Sequence, residues 1–209
     1  MNAGRESAPG EPAWGSRLRA AGVRLALVAE PGAILPEAYA SLWADGPSGW
    51  TRIWACGEAV AGRGGFAAPG EKREGDGRSP SGVFGISLAF GYAASAETAL
   101  PYRACTAADL WVDDPASPDY NRWVTAPHPA RSAERMRRDD ALYEFGLVLD
   151  YNCDPVVPGA GSAIFVHVRD DRGGGTAGCL ALPRAEMVAL IRLLRPGAVA
   201  VFNPRALRT

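Results

Sequence analysis

Cys179 and His167 are the two residues whose types could act together in chemistry. They lie 12 positions apart in a chain that has four cysteines and two histidines. A cysteine attacks an electrophile as the thiolate, and a neighbouring histidine favours that form by accepting the proton. The pair therefore predicts nucleophilic catalysis, with Cys179 as the nucleophile and His167 as the general base. The alternative, which the spacing leaves open, is a histidine and a cysteine that only fill a core.

A buried strand and a glycine-rich loop are the elements that must position this pair. In residues 162–168 the odd-numbered positions, His167 included, point to one face of a strand and the even-numbered ones to the other. Glycines at 173–175 and 178 let the backbone turn sharply just before the thiol. We expect Cys179 to be exposed at the end of this loop. A helix over residues 183–195 would follow, and its positive end would lower the thiol pKa further.

The remaining histidine and cysteines offer weaker chemistry. His128 stands between two prolines, which predicts a surface loop and leaves His167 as the better base. The cysteines form no C-x-x-C pair, so a closed zinc site has little support. Cys56 ends an apolar strand and is expected in the core. Cys105 and Cys153 could form a disulfide in an oxidising compartment.

Two blocks of sequence, in a fixed order, carry a family resemblance. The first is residues 70–85, which match the pattern K-x-x-G-D-G-x-T-P-x-G-x-F with Ser79 at the threonine position. The second is His167 followed at a distance by Thr176-x-Gly178-Cys179. Further similarity in residues 111–114, 120–121 and 132–134 extends the match to roughly residues 57–204. Together these motifs resemble the YkuD-type L,D-transpeptidase catalytic domain family.

Three departures from the family pattern concern the surroundings of the nucleophile. The second histidine of the usual Ser/Thr-His-Gly-Cys motif is Ala177 here. The arginine often found two residues after the cysteine is Ala181, and the loop from His167 to Cys179 is shorter than in many members. These departures bear on substrate preference more than on the identity of the nucleophile.

The resemblance implies acyl transfer on peptidoglycan stem peptides. Cys179 would attack the carbonyl between the third and fourth residues of a tetrapeptide stem, and His167 would take the thiol proton. The terminal D-alanine would leave, and an amine of a second stem would resolve the thioester. In this family a backbone carbonyl, here that of Val168, often orients the histidine. Backbone N–H groups of Cys179 and Gly178 are candidate oxyanion donors. This chemistry needs neither a metal nor an organic cofactor.

The resemblance also suggests substrate contacts. Thr176 and Ala177, beside the nucleophile, would contact the stem peptide, and residues 71–85 would frame the active-site face. Tyr151 is weakly similar in position to a tyrosine that some members place at the oxyanion site, and aromatic packing on the sheet is an alternative at least as well supported. Two other functions share these motifs: a hydrolase of the carboxypeptidase or amidase type, with water as acceptor, and a non-catalytic peptidoglycan-binding module.

The apolar pattern predicts a mainly β fold with packed helices, an α+β domain. The resemblance implies the sandwich or barrel-like catalytic domain of the family. We expect a flexible extension over residues 1–20 and a single catalytic domain over residues 21–209. Helices are predicted over residues 132–143 and 183–195. Strands are predicted over residues 23–29, 50–56, 83–88, 146–151, 162–168 and 198–202.

Charge and hydropathy constrain partners and location. A net charge of −1 argues against a nucleic-acid binder driven by bulk electrostatics. No run of apolar residues is long enough for a membrane span, and no secretory signal is visible, because the best apolar run, residues 23–29, is interrupted by Arg24. The resemblance nevertheless implies a periplasmic or cell-envelope enzyme of cell-wall organisation and cell shape, which we expect to act as a monomer.

Overall fold

Residues 12–207, which the computed structural model describes, form twelve β-strands, two α-helices and one short 3₁₀ helix. None of the helices among these residues is long and apolar enough to cross a membrane. The helices are α1 (Gly15–Ala20), α2 (Arg184–Leu193) and the 3₁₀ helix Pro204–Leu207. The strands are β1 (Leu25–Pro31), β2 (Glu37–Gly46), β3 (Gly49–Val60), β4 (Gly82–Gly91), β5 (Tyr102–Ala104), β6 (Asp109–Val112), β7 (Trp123–Thr125), β8 (Ala133–Arg135), β9 (Phe145–Leu149), β10 (Phe165–Val168), β11 (Leu180–Leu182) and β12 (Val199–Phe202).

The larger sheet closes on itself. Its strands follow the order β12-β1-β2-β3-β11-β10-β9-β4-β5, and β4 also pairs with β12. The pairs β1–β12, β10–β11 and β4–β5 are parallel, and the other pairs are antiparallel. Closure removes most free strand edges, as in a barrel. The prediction of a mainly β fold is confirmed, and the sheet is barrel-like.

Strand β10 is buried on both faces. Val166 and Val168 face the main core, while Phe165 joins an aromatic cluster with Trp111 and Phe90 at centroid distances of 4.9 and 5.4 Å. The cluster lies against the second sheet, in which β6 pairs with β7 and β8. The predicted alternation of faces is confirmed, but the strand is shorter than predicted. It begins only at Phe165 because Ala163 has a φ of 52°, which extended strands do not adopt.

The helix predicted at residues 183–195 is confirmed as α2. Pro183 precedes its first turn, and the chain leaves the helix before Pro196 and Gly197. Glu186 in the first turn and Arg192 in the last turn interact favourably with the helix dipole. The apolar side of α2 contributes to the main core through Met187, Leu190 and Ile191.

The helix predicted at residues 132–143 is wrong. This segment forms the short strand β8, paired with β6, and then a series of turns. Its buried residues, Met136 and Tyr143, are seven positions apart, but the positions between them that a helix would place on the same face hold Asp139 and Asp140, so there is no continuous apolar stripe. The carboxylate of Asp140 accepts a hydrogen bond from the N–H of Leu142 at 3.1 Å and so stabilises a turn within this run.

Strand β2 has no counterpart among the predicted strands. It pairs with β1 and β3 and buries Ala38, Ala40 and Leu42 on one face. Alanine has low strand propensity and buries little area, so this alternation gives a weak signal in the sequence.

The N-terminal extension predicted over residues 1–20 lies in part outside the described residues, which begin at residue 12. Within them, α1 is packed against the barrel. Leu18 is buried, and the ring of Trp14 contacts Trp50 and Trp43 at centroid distances of 5.2 and 5.9 Å.

Gly146 allows β9 to pass close to the aromatic cluster, and it pairs with His167 of β10. A Cβ at this position would lie 2.1 Å from the ring of the fully buried Phe90. We expect Gly146→Ala to lower the free energy of unfolding by about 1–3 kcal/mol, measured by denaturant titration. Gly46→Ala is the control, because no described atom lies within 4 Å of its added Cβ. Equal losses in the two variants would contradict this account of β9 packing.

Candidate active site

His167 and Cys179 line the same cavity, whose volume is about 290 Å³. The structure therefore brings together the two residues that sequence reasoning paired. Several segments of the chain build the walls around them. The lining residues include Lys72, Glu74 and Gly75 from the loop before β4, Glu134, Arg138 and Tyr143 from β8 and the following turns, Ser162, Ala163 and Ile164 before β10, and residues 173–178 before β11.

The parallel pairing of β10 with β11 sets the positions of the two side chains. His167 pairs with Ala181, and Val166 pairs with Leu180, so Cys179 immediately precedes the first paired residue of β11. The connection between parallel strands must run back along the sheet, because the second strand starts level with the first. This return places residues 173–178 across the cavity that the two side chains line.

His167 is held as a neutral imidazole. It is 5% exposed, and its Nδ1 lies 2.7 Å from the carbonyl oxygen of Val168, the contact expected from the resemblance. A carbonyl oxygen only accepts, so Nδ1 carries the proton and Nε2 has a free lone pair. Burial lowers the pKa of His167 to about 4, although the Val168 bond opposes this shift. At neutral pH, Nε2 is therefore available as a base.

Cys179 is a buried, neutral thiol. It is 7% exposed, its Sγ donates to the carbonyl of Ala163 at 3.2 Å, and it accepts the N–H of Phe165 at 3.3 Å. Burial raises the pKa of the thiol to about 12, and the negative charge of Glu134 adds to the rise. Among the described residues, no hydrogen bond joins Sγ to the imidazole of His167. The resting pair is uncharged.

The expectation of an exposed thiol with a lowered pKa is thus wrong. The thiol is covered because residues 163–165 pass over it and the aromatic cluster closes the other side. The prediction that the positive end of the helix lowers the thiol pKa is also wrong, because β11 lies between Cys179 and α2, which begins at Arg184. Desolvation disfavours the thiolate, and none of the helices within residues 12–207 begins at Cys179 to offset that effect.

Thr176 and Gly178 shape the loop that carries the nucleophile. The hydroxyl of Thr176 donates to the carbonyl of Cys179 at 2.7 Å and accepts the N–H of Gly178 at 3.1 Å. Ser79, in the first of the two motif blocks, donates to the same Cys179 carbonyl at 2.9 Å. A Cβ at Gly178 would lie 3.0 Å from the carbonyl of Arg78, so the turn favours glycine. Thr176 lines the cavity, and its hydroxyl is used within the loop.

Ala177 lines the cavity beside Thr176, whereas Tyr151 lies outside the lining. The hydroxyl of Tyr151 donates to the carbonyl of Ala160 at 2.5 Å, and its ring packs edge-on against Phe84 at 5.5 Å. The structure does not bring Tyr151 to the oxyanion position. Its placement matches the alternative, an aromatic side chain packed on the sheet.

Several charged residues of the cavity were not predicted as site residues. Lys72 is buried and forms an ion pair with Asp76 at 2.8 Å. Glu74 accepts hydrogen bonds from the hydroxyls of Tyr120 and Ser162. Glu134 accepts a hydrogen bond from the hydroxyl of Tyr143, and burial raises the pKa of Glu134. The sequence signal that could have identified these residues is the family resemblance. The segments that carry it include Lys72, Glu74, Tyr120 and Glu134. Of residues 71–85, which were expected to frame this face, Lys72, Glu74 and Gly75 line the cavity.

Asn121 connects the smaller sheet to the site. Its Oδ1 accepts the indole N–H of Trp111 at 2.9 Å and the N–H of Ala163 at 3.0 Å. Its Nδ2 donates to the carbonyls of Tyr151 and Asn152 at 2.9 and 2.8 Å. All the hydrogen-bonding groups of this buried amide are used. The network fixes Ala163, whose carbonyl accepts the thiol of Cys179.

The other histidine and cysteines lie apart from the cavity. His128 contacts the carboxylate of Asp119 at 3.1 Å and is partly buried. Cys105 and Cys153 are free thiols, so the disulfide considered for them is not formed, and Cys56 is buried as expected. In residues 12–207 no group of three or more His, Cys, Asp or Glu residues is arranged to hold a metal ion.

Comparison with known proteins identifies the family of this domain. The family model of the L,D-transpeptidase catalytic domain, YkuD, matches residues 37–202, which is most of the chain. This span contains His167, Cys179 and every described segment that lines the cavity. A search of the curated proteins found no match.

The neutral burial of His167 predicts a pH-dependent stability. The unfolded chain binds the proton as pH falls below about 6.5, but the folded chain does so only near 4. Stability contributed by this residue is therefore complete above pH 6.5 and is lost as pH falls toward 4, by about 3 kcal/mol in total. We expect the free energy of unfolding to fall more steeply between pH 7 and 4.5 in the wild type than in His167→Gln. Parallel pH profiles would contradict a buried neutral histidine.

Proposed function

The chain belongs to the YkuD family of L,D-transpeptidase catalytic domains, and from this membership we propose that it catalyses cysteine-dependent acyl transfer on peptidoglycan stem peptides. The observation that supports the proposal most is the single cavity lined by His167 and Cys179. One side chain is a nucleophile, and the other has a fixed tautomer with a free lone pair. This is the minimum that covalent acyl transfer requires.

In the first step, Nε2 of His167 accepts the thiol proton as Sγ of Cys179 bonds to the stem carbonyl carbon. The proton transfer accompanies the attack, because an ion pair of thiolate and imidazolium is costly in this buried site before the substrate arrives. The N–H of Gly178 already binds Thr176. The N–H of Cys179 is therefore the better candidate for stabilising the oxyanion.

The intermediate then collapses in the direction of acyl transfer. The bond between the carbonyl carbon and the D-alanine nitrogen breaks, and the imidazolium of His167 gives its proton to the leaving amine. A thioester on Cys179 remains. An acceptor amine attacks it, His167 takes the amine proton, and the carbon–sulfur bond breaks. The proton returns to the Cys179 sulfur, which restores the resting state.

Exclusion of water decides between transfer and hydrolysis. Residues 173–178 line the cavity and the thiol itself is 7% exposed, which favours an amine brought in by a bound stem over bulk water. We further propose that the enzyme acts in the periplasm or cell envelope, because its proposed substrate is located there, and that it acts as a monomer. Cell-wall organisation and cell shape are the corresponding biological roles.

The proposal predicts the products formed from a disaccharide tetrapeptide with and without a D-amino acid. We expect exchange of the terminal residue or cross-linked dimer by mass spectrometry, and a loss of about a thousandfold or more in Cys179→Ala. Cys153→Ala, which removes a free thiol outside the cavity, should retain the activity.

The other outcomes of this experiment separate the alternatives. Tripeptide as the sole product would identify a hydrolase with the same nucleophile. Unchanged substrate with the folded wild-type protein would contradict acyl transfer and favour a peptidoglycan-binding module.

A further inference from the structure

Arg138 lines the cavity but takes no part in the proposed acyl transfer. Among the described residues that line the cavity, two are basic, Lys72 and Arg138. The Lys72 ammonium is buried and is occupied by the carboxylate of Asp76 at 2.8 Å and the carbonyl of Arg73 at 2.6 Å. The side chain of Arg138 is 36% exposed. Arg138 is thus the lining cation that a ligand can reach.

The guanidinium of Arg138 is held in a fixed orientation. Its Nε and Nη2 donate to the carboxylate of Asp140 at 2.9 and 2.8 Å. Its central carbon lies 5.3 Å from the ring centroid of Tyr143, whose ring also contacts the imidazole of His167 at 5.4 Å. A guanidinium fixed on two sides loses little further entropy when it binds a ligand.

One edge of this guanidinium remains available. A guanidinium has five N–H donors, and Asp140 takes one from Nε and one from Nη2. In the part of the chain that the structure describes, Nη1 makes no hydrogen bond. Two further acids act on Arg138 through their charge, Asp170 and Glu134. Asp170 is bound by Arg172 at 2.7 Å and Glu134 by the hydroxyl of Tyr143, and neither forms a hydrogen bond with Nη1. Two parallel N–H donors are the geometry that binds a carboxylate best.

The remaining charges of the cavity direct an anion toward Arg138. Besides Asp170, the acids that line the cavity are Glu74 and Glu134, and neither forms an ion pair with a described cation. Strand β11, which pairs with the strand of His167, contributes no charge, because the residue paired with His167 is Ala181. A carboxylate in this cavity would meet like charge at the two glutamates and a free donor edge at Arg138.

We propose that Arg138 binds the terminal carboxylate of the acyl donor and thereby selects stem peptides that end in a free acid. This inference rests on the proposed function. In a donor that ends in D-alanine, one carbon separates the carboxylate from the nitrogen of the bond that breaks. A group that holds this carboxylate therefore fixes the reacting carbonyl relative to Cys179.

Binding measurements test this role without requiring turnover. Titration calorimetry on Cys179→Ala would compare a tetrapeptide that ends in D-alanine with the same peptide as its C-terminal amide. We expect the acid to bind about tenfold tighter or more, and Cys179→Ala/Arg138→Gln to lose that preference. Cys179→Ala/Arg135→Gln is the matched control, because Arg135 is an exposed arginine in β8, outside the cavity lining. It should keep the preference.

A second substitution at the same position separates loss of the carboxylate site from a general effect on folding. Arg138→Lys keeps the charge but loses the two-donor edge, so its preference for the acid should fall severalfold below that of Arg138 itself. Equal affinity of acid and amide in Cys179→Ala, or an undiminished preference in folded Arg138→Gln, would overturn the inference. If the preference depends on Arg138 but no Cys179-dependent product forms, the carboxylate site stands and the proposed acyl transfer fails. If product forms without any such preference, acyl transfer stands and the carboxylate site fails.

Discussion

The parallel pairing of β10 with β11 is the constraint on which the site depends. It aligns His167 with Ala181 and sets Cys179 at the start of β11. Because the strands are parallel, residues between them must return along the sheet, and this return forms one wall of the cavity. Glycines at 173, 174 and 178 have positive φ angles, which the tight path requires. Topology therefore explains both the proximity of the pair and the glycine-rich sequence.

Burial is the second consequence of this arrangement. Both faces of β10 are covered, so the thiol and the imidazole are desolvated, and burial moves their pKa values to about 12 and about 4. A pre-formed ion pair would be expensive in such a site. The protein instead fixes the proton positions: Val168 sets the tautomer of His167, and Ala163 accepts the thiol of Cys179. In the proposed reaction, the substrate carbonyl triggers the proton transfer.

The sequence predicted those features of the fold and the site that depend on residues close together in the chain. The apolar run around His167, the helix after Pro183 and the order of the two motifs were all readable, and the structure and the family match bear them out. The burial of Cys179 was not readable, because the residues that cover it, 163–165 and the aromatic cluster, are distant from it in sequence. The helix assigned to residues 132–143 failed for the same reason. Glu134 is positioned by the pairing of β8 with β6, and Arg138 is positioned by its hydrogen bonds to Asp140. The helical spacing of residues in the sequence does not encode either interaction.

Acyl transfer through a Cys179 thioester is the step on which the proposed function depends. The most direct test is intact-protein mass spectrometry after mixing the wild-type protein with a tetrapeptide donor and no acceptor amine, followed by peptide mapping. We predict a mass increase equal to the tripeptide acyl group, attached to Cys179, and no adduct in His167→Gln at the same time point. An unmodified protein that still converts the donor, or an adduct on Cys153 instead, would show that Cys179 does not carry the acyl group.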